Sequence, residues 1–108
     1  MNYQVFLTDD AAQDLEALYD YIASHDSPEK AVYVLEQIEQ ILLSLEETPE
    51  RGSYPKELLS LGIRDYREIF FKPYRVIYRV LNDTVYVMLI VDGRRHLQTL
   101  LERRLLQA

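Results

Sequence analysis

The chain has 108 residues, 12 of them Lys or Arg and 18 Asp or Glu, giving a formal charge of -6, with nine tyrosines and neither Cys nor Trp. That length suits one domain with a modest core, and 48% hydrophobic with 28% charged residues is the balance of a soluble globular chain, not a disordered one. The lack of Cys excludes a disulfide framework, a thiol nucleophile and a cysteine-ligated zinc site, and the acidic balance argues against retention on nucleic acid by bulk positive charge. The first residues lack the basic start and apolar run of a secretory leader. The longest unbroken apolar run, Val85 to Val91, is too short to span a bilayer. The expectation is one cytoplasmic domain over residues 1–108 with no membrane partner.

Residues 3–7 read as a short strand. Thr8 is a helix N-cap, with Asp9 and Asp10 in the first turn where negative charge is favoured. Leu15, Leu18, Tyr19 and Ile22 then recur at helical spacing to about Ser24. His25-Asp26 breaks the pattern, and Ser27-Pro28-Glu29 restarts it with a capping hydroxyl followed by proline at the first helical position. Ala31, Val34, Leu35, Ile38, Ile41, Leu42 and Leu45 form the second apolar stripe, so the two helices make an antiparallel hairpin. Pro49, Gly52, Pro55 and Gly62 punctuate a loop with at most one helical turn near 56–59. Strands are expected at 64–71, 74–81 and 84–91, linked by Lys72-Pro73 and Asn82-Asp83. Helical spacing returns over 94–107 through Leu97, Leu100, Leu101 and Leu105. The order β-α-α-β-β-β-α defines an α+β fold, a helical hairpin packed on a small, mainly antiparallel sheet with a C-terminal helix.

In the strand over 74–81 one face holds Tyr74, Val76, Tyr78 and Val80, and the other Arg75, Ile77, Arg79 and Leu81. The next strand assigns Val85, Val87, Leu89 and Val91 to one face and Thr84, Tyr86, Met88 and Ile90 to the other. Neither alternates cleanly between apolar and polar, so both sheet faces need cover. The hairpin covers one; the C-terminal helix, a partner, or both must cover the other, because soluble monomers rarely leave a large apolar patch bare.

The net charge divides along the chain. Residues 1–50 carry -11, and residues 51–108 carry +5, supplied mostly by arginine. Arginine suits planar hydrogen bonding to carboxylate or phosphate. Serine triads, a glycine-rich phosphate loop and a metal site all lack their residues, since the two histidines, His25 and His96, stand outside any ligand-spaced cluster. No metal or other cofactor is expected.

The run Gly62-Ile63-Arg64, then Pro73-Tyr74-Arg75-Val76-Ile77-Tyr78-Arg79-Val80, Val85–Val91 and Gly93-Arg94-Arg95 resembles the RelE/ParE superfamily of bacterial toxins. Pro49-Glu50-Arg51-Gly52, Pro55-Lys56-Glu57-Leu58 and the element order fit as well. The resemblance implies the toxin of a type II toxin–antitoxin system, and two mechanisms. RelE-like members cut messages in the ribosome; here that chemistry would fall to Arg64, Lys72, Arg75, Arg94 and Arg95. ParE-like members inhibit DNA gyrase by binding. Asp92 stands where many relatives carry His, no tyrosine follows Arg95, and the helical pair is long; these features resemble the ParE branch, with no catalytic residue of its own. On that reading Arg94, Arg95, Arg103 and Arg104 meet the target. An extended antitoxin that folds on binding contacts Tyr19, Tyr33, Ile77, Leu81, Tyr86 and Met88, pairs its acids with Arg75 and Arg79, and forms a hetero-oligomer with the toxin. A non-toxic relative that only binds its antitoxin is the remaining alternative.

Overall fold

Thr8 and Ser27 fix where the helices begin. The computed structural model describes residues 2–107. Thr8 Oγ1 accepts from the Ala11 amide at 3.2 Å and Ser27 Oγ from the Lys30 amide at 3.1 Å, caps worth about 1 kcal/mol each. They open α1 (Asp9–His25) and α2 (Pro28–Ser44), which the short link at Asp26-Ser27 folds into a hairpin. Thr8 Oγ1 also donates to the Val87 carbonyl at 3.0 Å, so one hydroxyl starts the helix and ties it to the sheet.

The sheet contains β1 (Gln4–Leu7), β2 (Arg67–Phe71), β3 (Tyr74–Leu81) and β4 (Thr84–Asp92) in the order β1-β4-β3-β2. β1 runs parallel to β4, and the other pairs are antiparallel. Asn82, at φ 57°, supplies the left-handed residue that the tight β3–β4 link requires. The hairpin buries Ile22, Val34, Ile38, Leu42 and Leu45 against Val76, Tyr78, Val85 and Val87, and each such aliphatic side chain contributes roughly 1.5–3 kcal/mol. Tyr78 is fully buried, and its hydroxyl accepts from the Gly52 amide at 3.0 Å. A Cβ at Gly52 would lie 2.6 Å from both the Glu68 carbonyl oxygen and the Tyr78 hydroxyl, so glycine lets the long loop pass close over the sheet.

The opposite face carries a second core of Leu58, Tyr66, Ile77, Leu89, Val91, Leu97 and Leu101. Its cover is α3 (Lys56–Leu59) together with α4 (Gln98–Leu101), which runs on as a π-helical turn over Glu102–Leu106. The hairpin, the three later strands and the C-terminal helix follow the sequence expectation, with three differences. β2 begins at Arg67 instead of residue 64, because Tyr66 turns into the second core and its hydroxyl donates to the Leu105 carbonyl at 3.0 Å. The last helix begins at Gln98 instead of residue 94, because Asp92 Oδ1 accepts from the Arg94 amide at 2.9 Å and holds a turn there.

The third difference concerns which residues share a face. Tyr78 pairs with Val87 but Ile77 pairs with Leu89, which leaves Met88 as an extra residue in β4. Such a bulge reverses the alternation. Val85 and Val87 therefore face the hairpin with Ile90, whereas Leu89 and Val91 join the second core. The single face drawn from Val85 to Val91 in the sequence is two half-faces.

Candidate functional site

The arginines that dominate the basic half are not equivalent once folded. Arg75, 6% exposed, lies between Glu57 of α3 and Glu68 of β2. Its Nη1 donates to Glu57 Oε2 at 2.7 Å, its Nη2 to Glu57 Oε1 at 2.9 Å, and its Nε to Glu68 Oε1 at 2.8 Å. The forked guanidinium grip holds the Glu57 carboxyl below the ordinary range, while burial outweighs the arginine at Glu68 and raises it. Two carboxylates share one buried cation and take four of its five N–H groups, so it does not face an antitoxin's acids or a phosphate. This corrects the expectation for Arg75. The aliphatic stem of Arg75 also supports the Gly93 turn: a Cβ on Gly93 would lie 2.7 Å from Arg75 Cγ and Cδ.

Arg104 is committed as well. β1 covers β4 only from Thr84 to Val87, which would leave the next stretch of strand edge bare. There the Ile90 amide donates to Asp14 Oδ2 at 3.1 Å, and Arg104 Nη2 donates to the Met88 carbonyl at 3.2 Å and to Asp14 Oδ2 at 2.9 Å. A side-chain pair thus replaces the missing strand, a device that closes a sheet edge. Arg94 wraps back onto Asp92, with Nη2 to Oδ2 at 2.6 Å, and this contact keeps the Asp92 carboxyl below its usual range. Of the four arginines assigned to the target, Arg95 and Arg103 alone carry no ion pair among the described residues. The five residues of the nuclease alternative do not converge: Arg64 and Lys72 are exposed in separate connections, Arg75 is buried, Arg94 is held by Asp92, and Arg95 is exposed.

The antitoxin-facing assignments divide into three groups. Arg79, Leu81 and Tyr86 lie on the sheet face opposite the hairpin, at the end that the C-terminal helix leaves open. Leu81 is 43% exposed and is joined there by Phe6, 55% exposed, whose ring meets Tyr86 edge-on at 5.9 Å between centroids. Arg79 lies over the Tyr66 ring, 5.8 Å from its centroid, with Asp65 at 3.8 Å. Tyr19 lines a separate apolar groove of about 330 Å³ with Leu7, Leu15 and Leu35. Tyr33 is exposed on α2, edge-on to Phe71. Ile77 is fully buried beneath the second core, and Met88 is half-buried against it, so core packing accounts for both. Sequence reasoning missed Phe6, although the alternation Val5-Phe6-Leu7 places it on the face opposite its neighbours. It also missed Glu57, Glu68 and Asp14, acids whose partners lie 18, 7 and 90 residues away.

The fold corresponds to that of chains in three solved structures. The chromosomal ParDE toxin–antitoxin system from P. aeruginosa contains a chain 24% identical to this one, with a TM-score of 0.70 over 83% of this chain and 95% of that one. The toxin–antitoxin complex RelBE2 from Mycobacterium tuberculosis gives 20% identity and a TM-score of 0.59 over 85% and 92% of the two chains. An E. coli toxin RelE mutant in the free state gives 20% identity and 0.60 over 87% and 86%. No curated protein sequence gives a significant match. The family described as the ParE toxin of the type II toxin-antitoxin system, parDE, matches residues 5–97, and the chain belongs to it. It is a toxin of the ParE type.

Proposed function

We propose that this toxin acts by binding DNA gyrase, without a catalytic site of its own, and that a cognate antitoxin neutralises it in the cytoplasm. The observation that carries the reading is the fate of Arg75. Cleaving RNA requires cations free to stabilise a phosphorane and an acid and base to move protons. The arginine at the centre of the sheet is instead spent on Glu57 and Glu68. The ParE family match supports the same choice of target. No helix among the described residues is long and apolar enough to cross a membrane.

The antitoxin on this reading is an extended segment that folds on contact, and the open sheet end formed by Phe6, Leu81 and Tyr86 offers it apolar anchors beside the cation of Arg79. The groove at Tyr19 gives a second seat. The solved ParDE and RelBE2 relatives are toxin–antitoxin assemblies, which supports a hetero-oligomer here. Inducible expression without the operon neighbour tests the proposal: growth arrest with intact messages is expected, and arrest with messages cut on ribosomes contradicts it. Co-expression of the neighbour is expected to restore growth.

A further inference from the structure

Sorting the eleven basic residues of 51–108 by partner leaves five, Lys56, Arg64, Lys72, Arg95 and Arg103, whose side chains make neither an ion pair nor a hydrogen bond among the described residues. Three of the five meet. Lys56, Arg95 and His96 line a depression of about 380 Å³ with Ser60, and Arg95, His96 and Arg103 line an adjoining one of about 300 Å³ with Thr99. Arg95 and His96 stand on the boundary between the two. Glu57 borders the first depression, but both of its oxygens are taken by Arg75, and Gln98 there donates to Glu102 at 2.8 Å. The walls are therefore rich in uncommitted donors and hold no free carboxylate.

We propose that Lys56, Arg95, His96 and Arg103 form a phosphate-binding strip that takes a short single strand of nucleic acid. The proposal concerns part of the surface assigned above to the target and adds to that reading a ligand chemistry; strand binding and gyrase inhibition are measured separately, so each fails on its own. A narrow strand with successive phosphates fits two hollows joined by one guanidinium, which forks onto phosphate oxygens. The -11 of the first fifty residues does not forbid this, because most of those acids sit on the hairpin across the sheet. The two that reach the C-terminal segment, Asp10 and Asp14, face Arg104.

Fluorescence anisotropy with the full chain and a labelled short oligothymidylate tests this. Three phosphate contacts predict that affinity falls roughly 20-fold between about 50 and 200 mM salt. Arg95→Ala with Arg103→Ala should weaken binding at least tenfold and cut the salt slope to about a third. The charge-matched pair Lys30→Ala with Arg51→Ala should bind as the native chain does. Competition by a nucleoside triphosphate as strong as by the strand would assign the same phosphate chemistry to a free nucleotide. The proposal is overturned if the probe does not bind at 50 mM salt, if the charge-matched pair loses as much affinity, or if polyglutamate displaces the probe as well as an unlabelled strand does.

Discussion

Arg75→Met removes the only cation from a buried cluster and leaves two carboxylates, on residues 8% and 7% exposed, without a partner. The substitution breaks two hydrogen bonds to Glu57 and those to Glu68. Deleting one member of a buried ion pair costs about 3–5 kcal/mol, a large share of the roughly 5–15 kcal/mol that holds such a domain folded. The melting temperature should fall by roughly 15–30 °C. Replacing all three residues, Glu57→Leu, Glu68→Met and Arg75→Met, should recover most of that loss, since apolar replacement of a buried ion cluster is often neutral or better. The dependence on pH has a definite sign. In the native chain Glu57 is held low by Arg75, so its contribution is present above the ordinary glutamate range and is lost as pH falls through the depressed value. In Arg75→Met, burial without the guanidinium raises both carboxyls, and the deficit therefore shrinks as pH falls toward the unfolded value near 4.5. Circular dichroism melts at pH 7 and pH 5 measure both effects. A single variant within 1 kcal/mol of the native chain at pH 7, or a triple variant as unstable as the single, would refute the account of this cluster.

Gly52→Ala places a methyl group 2.6 Å from the Glu68 carbonyl oxygen, and overpacking of that kind should cost about 1–3 kcal/mol of stability, measured by urea unfolding as a lower midpoint. Arg104→Ala releases Asp14 and the β4 edge; a loss of about 1–3 kcal/mol should come with faster hydrogen exchange at the Ile90 amide, whose bond to Asp14 depends on that pair. Leu81→Asp with Tyr86→Ala should weaken the antitoxin complex at least tenfold by calorimetry while shifting the melting temperature of the free toxin little, because Leu81 is exposed and Tyr86 half-buried.

The helical elements were legible because their signals are local. Thr8 and Ser27 cap as their positions require, and the stripe from Ala31 to Leu45 needs only its own spacing to declare a buried face. The sheet was legible in order but not in detail. Val87 and Leu89 are two residues apart and should share a face, yet the unpaired Met88 sends them to opposite cores. The charges were the least legible part. The partners of Arg75 lie 7 and 18 residues away and that of Arg104 lies 90 away. In sequence these two look the same as Arg95 and Arg103, and tertiary contacts alone separate the committed arginines from the available ones. The C-terminal segment shows the same limit: Leu97 and Leu101 are buried under the sheet, so truncation there would strip a core, and substitution of Arg95 and Arg103 is the cleaner probe of target binding.

We propose that this ParE-type toxin stops gyrase by occupying it. Titration of the purified chain into a gyrase supercoiling reaction tests it most directly. Inhibition that rises with toxin and saturates near equivalence with the enzyme is the predicted result, and undiminished supercoiling at a large excess of folded toxin would contradict it.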